Sequence, residues 1–398
     1  MQSTQRNSTP SLRTLFWIFL KIGSTAWGGF MPLIAVVQNY IKKNNLLEEQ
    51  DILDAIFLAS VLPGAMAFNV VVGIGYRLRG IQGAIACGLG ALLPTFVLVL
   101  GFSFTYFKWG TIPLVDKLFL GFTPAMVAIV ISAAWSMGRK TIEGVPEVII
   151  SVVACAILIG IGGFYSTIAI VLGSGLAGWL LFRSPKIPPS KLSEPQSQIQ
   201  LPDRPQNSSK LMFVLPLPVM GLFTSQSWLV IKLFTTFAIM SVTLFGSGYV
   251  FIPIIQKVVV NSQGWLTNKE FIDGLIISQV TPGPILITSA FIGYKVAGFL
   301  GALSATIGMF LPPALLTVVG MYFLNSIKNS AVVQAALRGV RPAVVGMITA
   351  AAFVVGSTVS PHWVSALIFC VALIAIVRFR IEVALIIPVA GLAGLALY

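Results

Sequence analysis

Two Pro-Gly segments interrupt long apolar runs and contain the residues best suited to ligand binding. One reads Ser60-Val-Leu-Pro-Gly64 and the other reads Gln279-Val-Thr-Pro-Gly-Pro284. Proline lacks a backbone N–H and its ring clashes with the preceding turn, so each segment predicts a helix break. A helix that restarts there presents free N–H groups and the positive end of its dipole inside an apolar region. An anion is the ligand that suits such a position.

Neutral polar side chains flank both breaks. Hydroxyls, amides and backbone N–H groups can replace the hydration of a tetrahedral oxyanion without a buried lysine or arginine. Alternatively, each Pro-Gly only kinks a span and the hydroxyls bond to their own helix. The matched pair favours a binding site, because symmetric transporters bind substrate between broken helices. The predicted substrate-binding residues are Ser60, Pro63, Gly64, Asn69, Gln279, Thr281, Pro282, Gly283, Pro284 and Thr288.

Charged residues within the apolar runs are scarce and therefore informative. Four of them are candidates for lining an anion path: Arg77, Lys295, Arg338 and Arg341. Their alternative role is to anchor helix ends at the membrane interface. Asp54 and Asp273 each precede a Pro-Gly break and are candidates for proton coupling, the alternative being compensation of the helix dipole.

The composition identifies a membrane protein. Of the 398 residues, 57% are hydrophobic and 9% are charged. Apolar runs long enough to cross the bilayer recur along the chain and predict an all-α polytopic protein with about 10–13 transmembrane segments. The net charge of +13 lies in short loops, which the positive-inside rule explains better than nucleic-acid binding. Residues 145–182 are too long for one span and predict two short ones that separate near Gly160–Gly163.

Enzyme and metal sites have little support in the sequence. The single histidine, His362, lies in a Pro-His-Trp loop. No HExxH, GxSxG or Walker motif occurs, and the three cysteines, Cys87, Cys155 and Cys370, lack metal-binding spacing. We therefore predict no catalytic residues, no metal and no cofactor, and we favour transport.

The second half of the chain repeats the first. Adding 218 to a residue number maps Gly75-Tyr76 onto Gly293-Tyr294 and Leu93-Pro94 onto Leu311-Pro312. Adding 219 maps Asp54 onto Asp273 and Pro63-Gly64 onto Pro282-Gly283. Between the repeats, residues 183–210 are polar and basic. The predicted units are an N-terminal repeat at 1–182, a cytoplasmic linker at 183–210 and a C-terminal repeat at 211–398.

The charged loops indicate that the repeats are inverted. If spans alternate, Arg77 and Arg139 lie on the linker's side of the membrane and Lys42 lies opposite. In the second half the bias moves to the other loops, with Lys257 and Lys269 on one side and Lys295 opposite. Inversion requires an odd number of crossings per half, so either the apolar stretch 211–223 or a re-entrant segment must enter the count.

Several motifs resemble the chromate ion transporter (CHR) family, in its long two-domain form. They are Gly246-Ser-Gly-Tyr-Val-Phe-Ile-Pro253, Glu270-Phe-Ile-Asp-Gly274, Gln279-Val-Thr-Pro-Gly-Pro-Ile285, Phe291-Ile-Gly-Tyr294 and, in the first half, Trp27-Gly-Gly29 and Gly75-Tyr-Arg77. The resemblance implies a multi-pass protein of the bacterial inner membrane that carries chromate, in many members outward for resistance, with sulfate as a competing anion. It also implies halves of opposite orientation.

We therefore predict a secondary transporter that exports chromate, with sulfate as a second substrate, and that binds the dianion between the two Pro-Gly breaks. A sulfate uptake permease is the alternative within transport, and a membrane scaffold or an integral-membrane enzyme is the alternative from another class. The expected partners are a small oxyanion and the lipid bilayer, and a homodimer is an arrangement that the sequence leaves open.

Overall fold

The computed structural model describes residues 10–25, 30–44, 46–109, 113–182, 225–245 and 248–398. Within these ranges the chain is helical and contains no strand, which confirms the all-α prediction. The first repeat contains the helices α1 Leu12–Thr25, α2 Phe30–Lys43, α3 Glu49–Val61, α4 Met66–Trp109, α5 Pro113–Thr141, α6 Val145–Gly160 and α7 Phe164–Leu181.

The second repeat follows the same order. Its helices are α8 Ser225–Ser241, α9 Phe251–Gln256 (continued by a π-helix at Lys257–Ser262), α10 Asn268–Val280, α11 Thr288–Tyr322, α12 Leu324–Asn329, α13 Ala331–Gly356, α14 Trp363–Val377 and α15 Val383–Leu397. A short 3-10 turn at Ile285–Ile287 leads into α11. Thus α3, α4 and α5 correspond to α10, α11 and α13, as the repeat of the sequence predicts.

The long helices α4 and α11 each contain a sharp reversal at the equivalent position. Gly80 has φ +58° and ψ −149°, and Gly298 has φ +59° and ψ −146°. A Cβ on Gly75 would lie 2.5 Å from the carbonyl oxygen of Gly83, although residues eight apart in a straight helix are separated by about 12 Å. We call the arms α4a (66–78), α4b (81–109), α11a (288–296) and α11b (299–322).

Each Pro-Gly segment is the tip of a helical hairpin. A Cβ on Gly73 would lie 3.3 Å from Cβ of Ala55, and both residues are nine positions from Gly64. In the second repeat a Cβ on Gly274 would overlap the ring of Phe291. The arms are therefore antiparallel. We call residues 49–78 hairpin 1 and residues 268–296 hairpin 2, each with a tip at Pro-Gly and a base at its open end.

The hairpins are re-entrant. The helices α3 and α10 have 13 residues each and span about 20 Å, less than the roughly 30 Å of hydrocarbon. The predicted breaks are present, but the chain doubles back at each of them and does not continue to the other side of the membrane.

Each hairpin packs along the long helix of the other repeat. Helix α4b contacts hairpin 2 from its tip, where Thr95 bonds to Pro282, to its base, where Tyr106 bonds to Asp273. Helix α11b contacts the tip of hairpin 1 through Pro313. Since α4b leads away from the base of hairpin 1 and α11b leads away from the base of hairpin 2, the hairpins open at opposite ends of the bundle. We call these ends face 1 and face 2, after the hairpins whose bases they carry, and the repeats are inverted as predicted.

The repeats are interlocked by close helix crossings. Gly121 of α5 lies against Gly394 of α15, and Gly339 of α13 lies against Gly178 of α7. Small residues permit such backbone contact between membrane helices. Helices α6 and α7 thus pack on the second repeat, and α14 and α15 pack on the first.

The last described helix of the first repeat ends at one face of the bundle, and the first described helix of the second repeat begins at the other face. Helix α13 begins at face 1, because Lys328, just before it, bonds to Asp54 of hairpin 1. Helix α7 ends near the same face, because Gly178 contacts the first half of α13. Helix α8 begins near face 2, because the Ser304 hydroxyl at the start of α11b donates to Val230 O. Residues 183–224, with the predicted linker and the apolar stretch 211–223, lie outside the described residues.

Because each hairpin reverses inside the membrane, several charged residues lie on a different face from the one that the sequence predicts. Lys42 pairs with Glu49 at the base of hairpin 1 and so shares face 1 with Arg77. Lys269 begins hairpin 2 and shares face 2 with Lys295. The prediction that these pairs lie on opposite sides is wrong, because it treated each broken span as a full crossing.

Four described segments are long and apolar enough to span a membrane, namely Met66–Trp109, Asp116–Thr141, Ile285–Tyr322 and Ala331–Gly356, and six shorter apolar helices accompany them. The predicted separation of residues 145–182 into two helices is confirmed. It occurs at Gly162 and Gly163, which have positive φ.

The crossing of α7 and α13 gives a test of packing. Gly178→Ala places Cβ 2.6 Å from Gly339 N, whereas Gly173→Ala on the same helix meets nothing within 4 Å. We expect Gly178→Ala to destabilise the protein by about 1–3 kcal/mol through overpacking. Gly173→Ala gains helix propensity and should be neutral or stabilising. Thermal unfolding in detergent measures both, and equal melting temperatures would contradict the close crossing.

The re-entrant geometry gives a test of topology. In a background without native cysteines, Glu48→Cys and Arg79→Cys lie at the two ends of hairpin 1, and we expect an impermeant thiol reagent to label both from the same side of the membrane. Asn268→Cys, at the base of hairpin 2, should be labelled from the other side. Labelling of positions 48 and 79 from opposite sides would show that the broken span crosses the membrane.

Candidate functional site

The two tips have the same backbone geometry and equivalent contacts. Gly64 has φ +105° and Gly283 has φ +117°, in the region that side chains disfavour. A Cβ on Gly64 would overlap Pro313, and a Cβ on Gly283 would lie 2.5 Å from Oγ1 of Thr95. Residues 95 and 313 are equivalent in the repeat, so each tip rests against the same point of the other repeat's long helix.

The tips lie near each other at mid-depth of the bundle. Gly64 N donates to Leu244 O at 2.5 Å, and Gly248 packs against Ile285, directly after the second tip. Leu244 and Gly248 are four residue steps apart along the chain, a length that spans at most about 14 Å. Thr95 and Pro313 lie near the middle of α4b and α11b, so both tips are far from either face.

Side chains bond to the broken backbone at the first tip. The Asn69 amide donates to Pro63 O at 2.9 Å, which satisfies one carbonyl that the break exposes. The Ser60 hydroxyl donates to Phe57 O at 2.7 Å and so bonds within its own helix. Helix α4a begins at Met66 and its Asn69 N–H bonds to Ala65 O. The N–H groups of residues 66–68 therefore precede the first helical hydrogen bond.

The second tip is held by more hydroxyl groups. Thr288 donates to Oγ of Ser278 at 2.9 Å across the hairpin, and the Thr281 hydroxyl donates to Ser278 O at 3.0 Å. The Gln279 amide donates to the Tyr249 hydroxyl at 3.2 Å. Residues 281–290 are buried throughout. The sequence indicated the hydroxyls, but nothing in it identified Thr95 or Tyr249 as contacts of this tip.

Two buried polar atoms near the tips have no hydrogen-bond partner in the described part of the chain. They are Oδ1 of Asn69 and Oγ of Ser289, and both residues are fully buried. Asn69 corresponds to Thr288 in the repeat, so Ser289 follows directly after the residue equivalent to Asn69. Buried polar groups normally bond to protein or water, so these two atoms can each form a hydrogen bond with a water or a ligand.

The predicted anion-path residues fall into two groups. Arg77 lies 3.5 Å from Asp51, and Lys295 lies 2.8 Å from the equivalent Glu270. Both cations thus close the base of a hairpin. Arg338 is half-buried and Arg341 is exposed on α13, seven and ten residues beyond its start at face 1.

The two predicted proton-coupling residues lie one turn inside the hairpin bases. Asp54 bonds to Lys328 at 2.6 Å and to Gln50 at 2.9 Å. Asp273 accepts from the Tyr106 hydroxyl at 2.6 Å. Lys328 and Tyr106 come from the opposite repeat in each case.

Other parts of the described structure are less suited to an anion. A cavity of about 510 Å³ between α4b and α11b is lined by apolar residues such as Phe96 and Leu311. His362 is exposed, and its ring accepts from Val364 N at the start of α14. The described residues contain no group of three metal-ligating side chains.

Comparison with known proteins agrees with this architecture. A family model described as "Chromate transporter" matches residues 13–179 and 231–395, one stretch in each repeat. A "Probable chromate transport protein" of Synechococcus elongatus is 29% identical over 392 residues, which covers 96% of this chain and 95% of that protein. A "Chromate transport protein" of Cupriavidus metallidurans is 26% identical and covers 98% and 94% of the two chains.

A shorter relative matches about one repeat. It is an uncharacterized transporter of Bacillus subtilis, 29% identical over 168 residues, which covers 94% of that protein and 41% of this chain. No solved structure matches the chain. Because the family model covers both repeats, the chain belongs to the chromate transporter family, and it is a helical membrane protein of a transporter family.

Proposed function

We propose that the protein is a secondary transporter that exports chromate and binds the dianion between the tips of hairpins 1 and 2. The observation that carries this proposal is the pair of re-entrant tips that meet at mid-depth, with Asn69 Oδ1 and Ser289 Oγ unpaired beside them. Carriers built from inverted repeats bind their substrates at such a position. Chromate enters the proposal through the names of the relatives.

The chemistry at the tips suits a tetrahedral oxyanion. The N–H groups of residues 66–68 and the Ser289 hydroxyl supply donors, and the dipoles of α4a and α11a favour negative charge. The free Asn69 atom is an acceptor, so it receives a donor, either a bound water or the hydroxyl of a singly protonated oxyanion. Ser60, Gln279, Thr281 and Thr288 shape the tips through their hydrogen bonds.

Access to the site alternates as the hairpins open in turn. Hairpin 1 separates the tips from face 1, and hairpin 2 separates them from face 2. Opening a base releases Arg77 or Lys295 from its carboxylate and frees the cation to attract the anion. Arg338 and Arg341 extend a basic path along α13 from face 1 toward the tips.

Face 1 is the cytoplasmic face. It carries Arg77 and Arg79, the end of α5 with Arg139 and Lys140, and the end of α14 with Arg378. The positive-inside rule places such a basic face in the cytoplasm. The location is the inner membrane, and the basic face gathers the anion where export begins.

The membrane potential supplies energy for export. A dianion that moves outward gains about 4.6 kcal/mol per 100 mV of inside-negative potential. Export therefore proceeds without a coupled ion, whereas uptake of sulfate would require a cation that moves inward. This difference favours export over a sulfate uptake permease.

Transport in everted membrane vesicles tests the proposal. Their lumen corresponds to the outside of the cell, so a lumen-positive potential should drive labelled chromate into vesicles that contain the protein. Unlabelled sulfate should compete. Vesicles without the protein and vesicles with the opposite potential are the controls.

The outcomes separate the candidate functions. Accumulation of sulfate alone, driven by an inward cation gradient in right-side-out vesicles, would support the sulfate permease instead. Transport of neither oxyanion would remove the carrier proposal and leave a scaffold or an enzyme.

Substitutions at the tips test the binding site. Ser289→Ala removes a hydroxyl that bonds to nothing in the described chain, so we expect normal folding and an apparent chromate affinity about tenfold lower, the effect of one hydrogen bond to a charged ligand. Ser103→Ala is the matched control, because Ser103 is equally buried and bonds to its own helix. Asn69→Ala and Thr281→Ala should lower cellular chromate tolerance. A scaffold would show unchanged tolerance in all of these variants.

A further inference from the structure

Asp54 and Asp273 occupy equivalent positions but have different surroundings. Both carboxylates lie one turn above the base of a hairpin, with exposed fractions of 8% and 3%. An ionised carboxylate buried at such a position is costly unless a cation or several hydrogen bonds stabilise it. The partners of each residue therefore decide how well its charge is compensated.

Asp54 is surrounded by cations. Its Oδ1 lies 2.6 Å from Lys328 Nζ and accepts from the Gln50 amide, and its Oδ2 lies 3.8 Å from the Arg77 guanidinium. These contacts supply counter-charges to Asp54 and make it part of an ion-pair cluster that holds the base of hairpin 1 at face 1.

Asp273 has no cation as a direct partner in the described chain. Its hydrogen bond comes from the neutral Tyr106 hydroxyl at 2.6 Å. The nearby lysines are occupied elsewhere, since Lys295 pairs with Glu270 at 2.8 Å and Lys269 pairs with Asp116 at 2.6 Å.

The elements around Asp273 are mostly apolar. The Tyr106 ring packs against Phe107, Phe119 and Phe291, with centroids 5.1, 5.7 and 5.4 Å away. At the face 2 ends of the elements packed around Asp273, the titratable groups are Lys269 and Glu270 on α10, Tyr106 and Lys108 on α4, Asp116 and Lys117 on α5, and Tyr294 and Lys295 on α11, while α15 has none within Val383–Leu397. Asp273 is thus the carboxylate of this group that is both buried and without a counter-ion.

We propose that Asp273, and not Asp54, binds and releases a proton at face 2 and thereby sets whether hairpin 2 is closed. The proposal rests on the proposed transport function. The carboxylate takes one proton from water at face 2 when the base closes and returns it to that water when the base opens. Protonated, it packs against Tyr106 and the aromatic rings without an uncompensated charge. Ionised, it requires water, which only the open base admits.

The pH at face 2 should therefore govern the transport rate. Everted vesicles loaded with buffers of different pH, at one external pH and one imposed potential, set the pH of this face alone. We expect the initial rate of chromate entry to follow the titration of one group, with a change of up to about tenfold per pH unit on the steep limb. Asp273→Asn should abolish this dependence. Asp54→Asn is the matched control and should retain it.

Tyr106→Phe provides a second measurement that does not require the loss of the carboxylate. The phenol donates to the ionised carboxylate, so its removal should move the midpoint of the pH profile to higher pH without abolishing the profile. If Asp273→Asn proves inactive, an unchanged midpoint in Tyr106→Phe overturns the proposal. A dependence on lumen pH that persists in Asp273→Asn, or that is absent from the wild type, also overturns it while leaving chromate export in place. If wild-type vesicles take up neither chromate nor sulfate, both this proposal and the proposed transport function are overturned.

Discussion

The contact between each hairpin tip and the other repeat's long helix is the constraint on which the rest of the structure depends. Gly64 against Pro313 and Gly283 against Thr95 fix how deep each hairpin reaches. Because these residues lie near the middle of α4b and α11b, two short re-entrant hairpins are enough to occupy the whole thickness of the membrane. The centre of the protein is thus made of helix ends, whose backbone groups lie outside the helical hydrogen-bond pattern and give it polarity without buried charge.

Much of the architecture can be predicted from residue types and spacing. Proline removes a hydrogen bond wherever it occurs, so Pro63 and Pro282 reveal both breaks. A separation of 219 residues through the breaks and 218 beyond them reveals the repeat, down to the matched reversals at Gly80 and Gly298. The direction of the chain after a break is not encoded locally. It depends on packing of Gly73 against Ala55 and of Gly274 against Phe291, and this is why the sequence alone predicts the wrong side for several loop charges.

Some residues of the candidate site can likewise be predicted from the sequence, and others cannot. Asn69, Thr281 and Thr288 are found from their closeness to a break, which is a property of the sequence. Thr95 and Tyr249 meet the second tip from distant positions, and only the fold brings them there. The difference between Asp54 and Asp273 also has no local cause, because Lys328 lies 274 residues from Asp54. The two repeats have the same backbone geometry, but the residues that contact Asp54 and Asp273 differ.

The interlocked glycine crossings affect how the protein is assembled. Helices α6 and α7 rest on α13, and α14 and α15 rest on α5, through Gly178 with Gly339 and Gly394 with Gly121. When the first repeat leaves the ribosome, these surfaces have nothing to pack against until the second repeat is inserted. Neither half is therefore a self-sufficient folding unit. A chain that holds a single repeat of this kind would need a second chain, inserted in the opposite orientation, to complete its core.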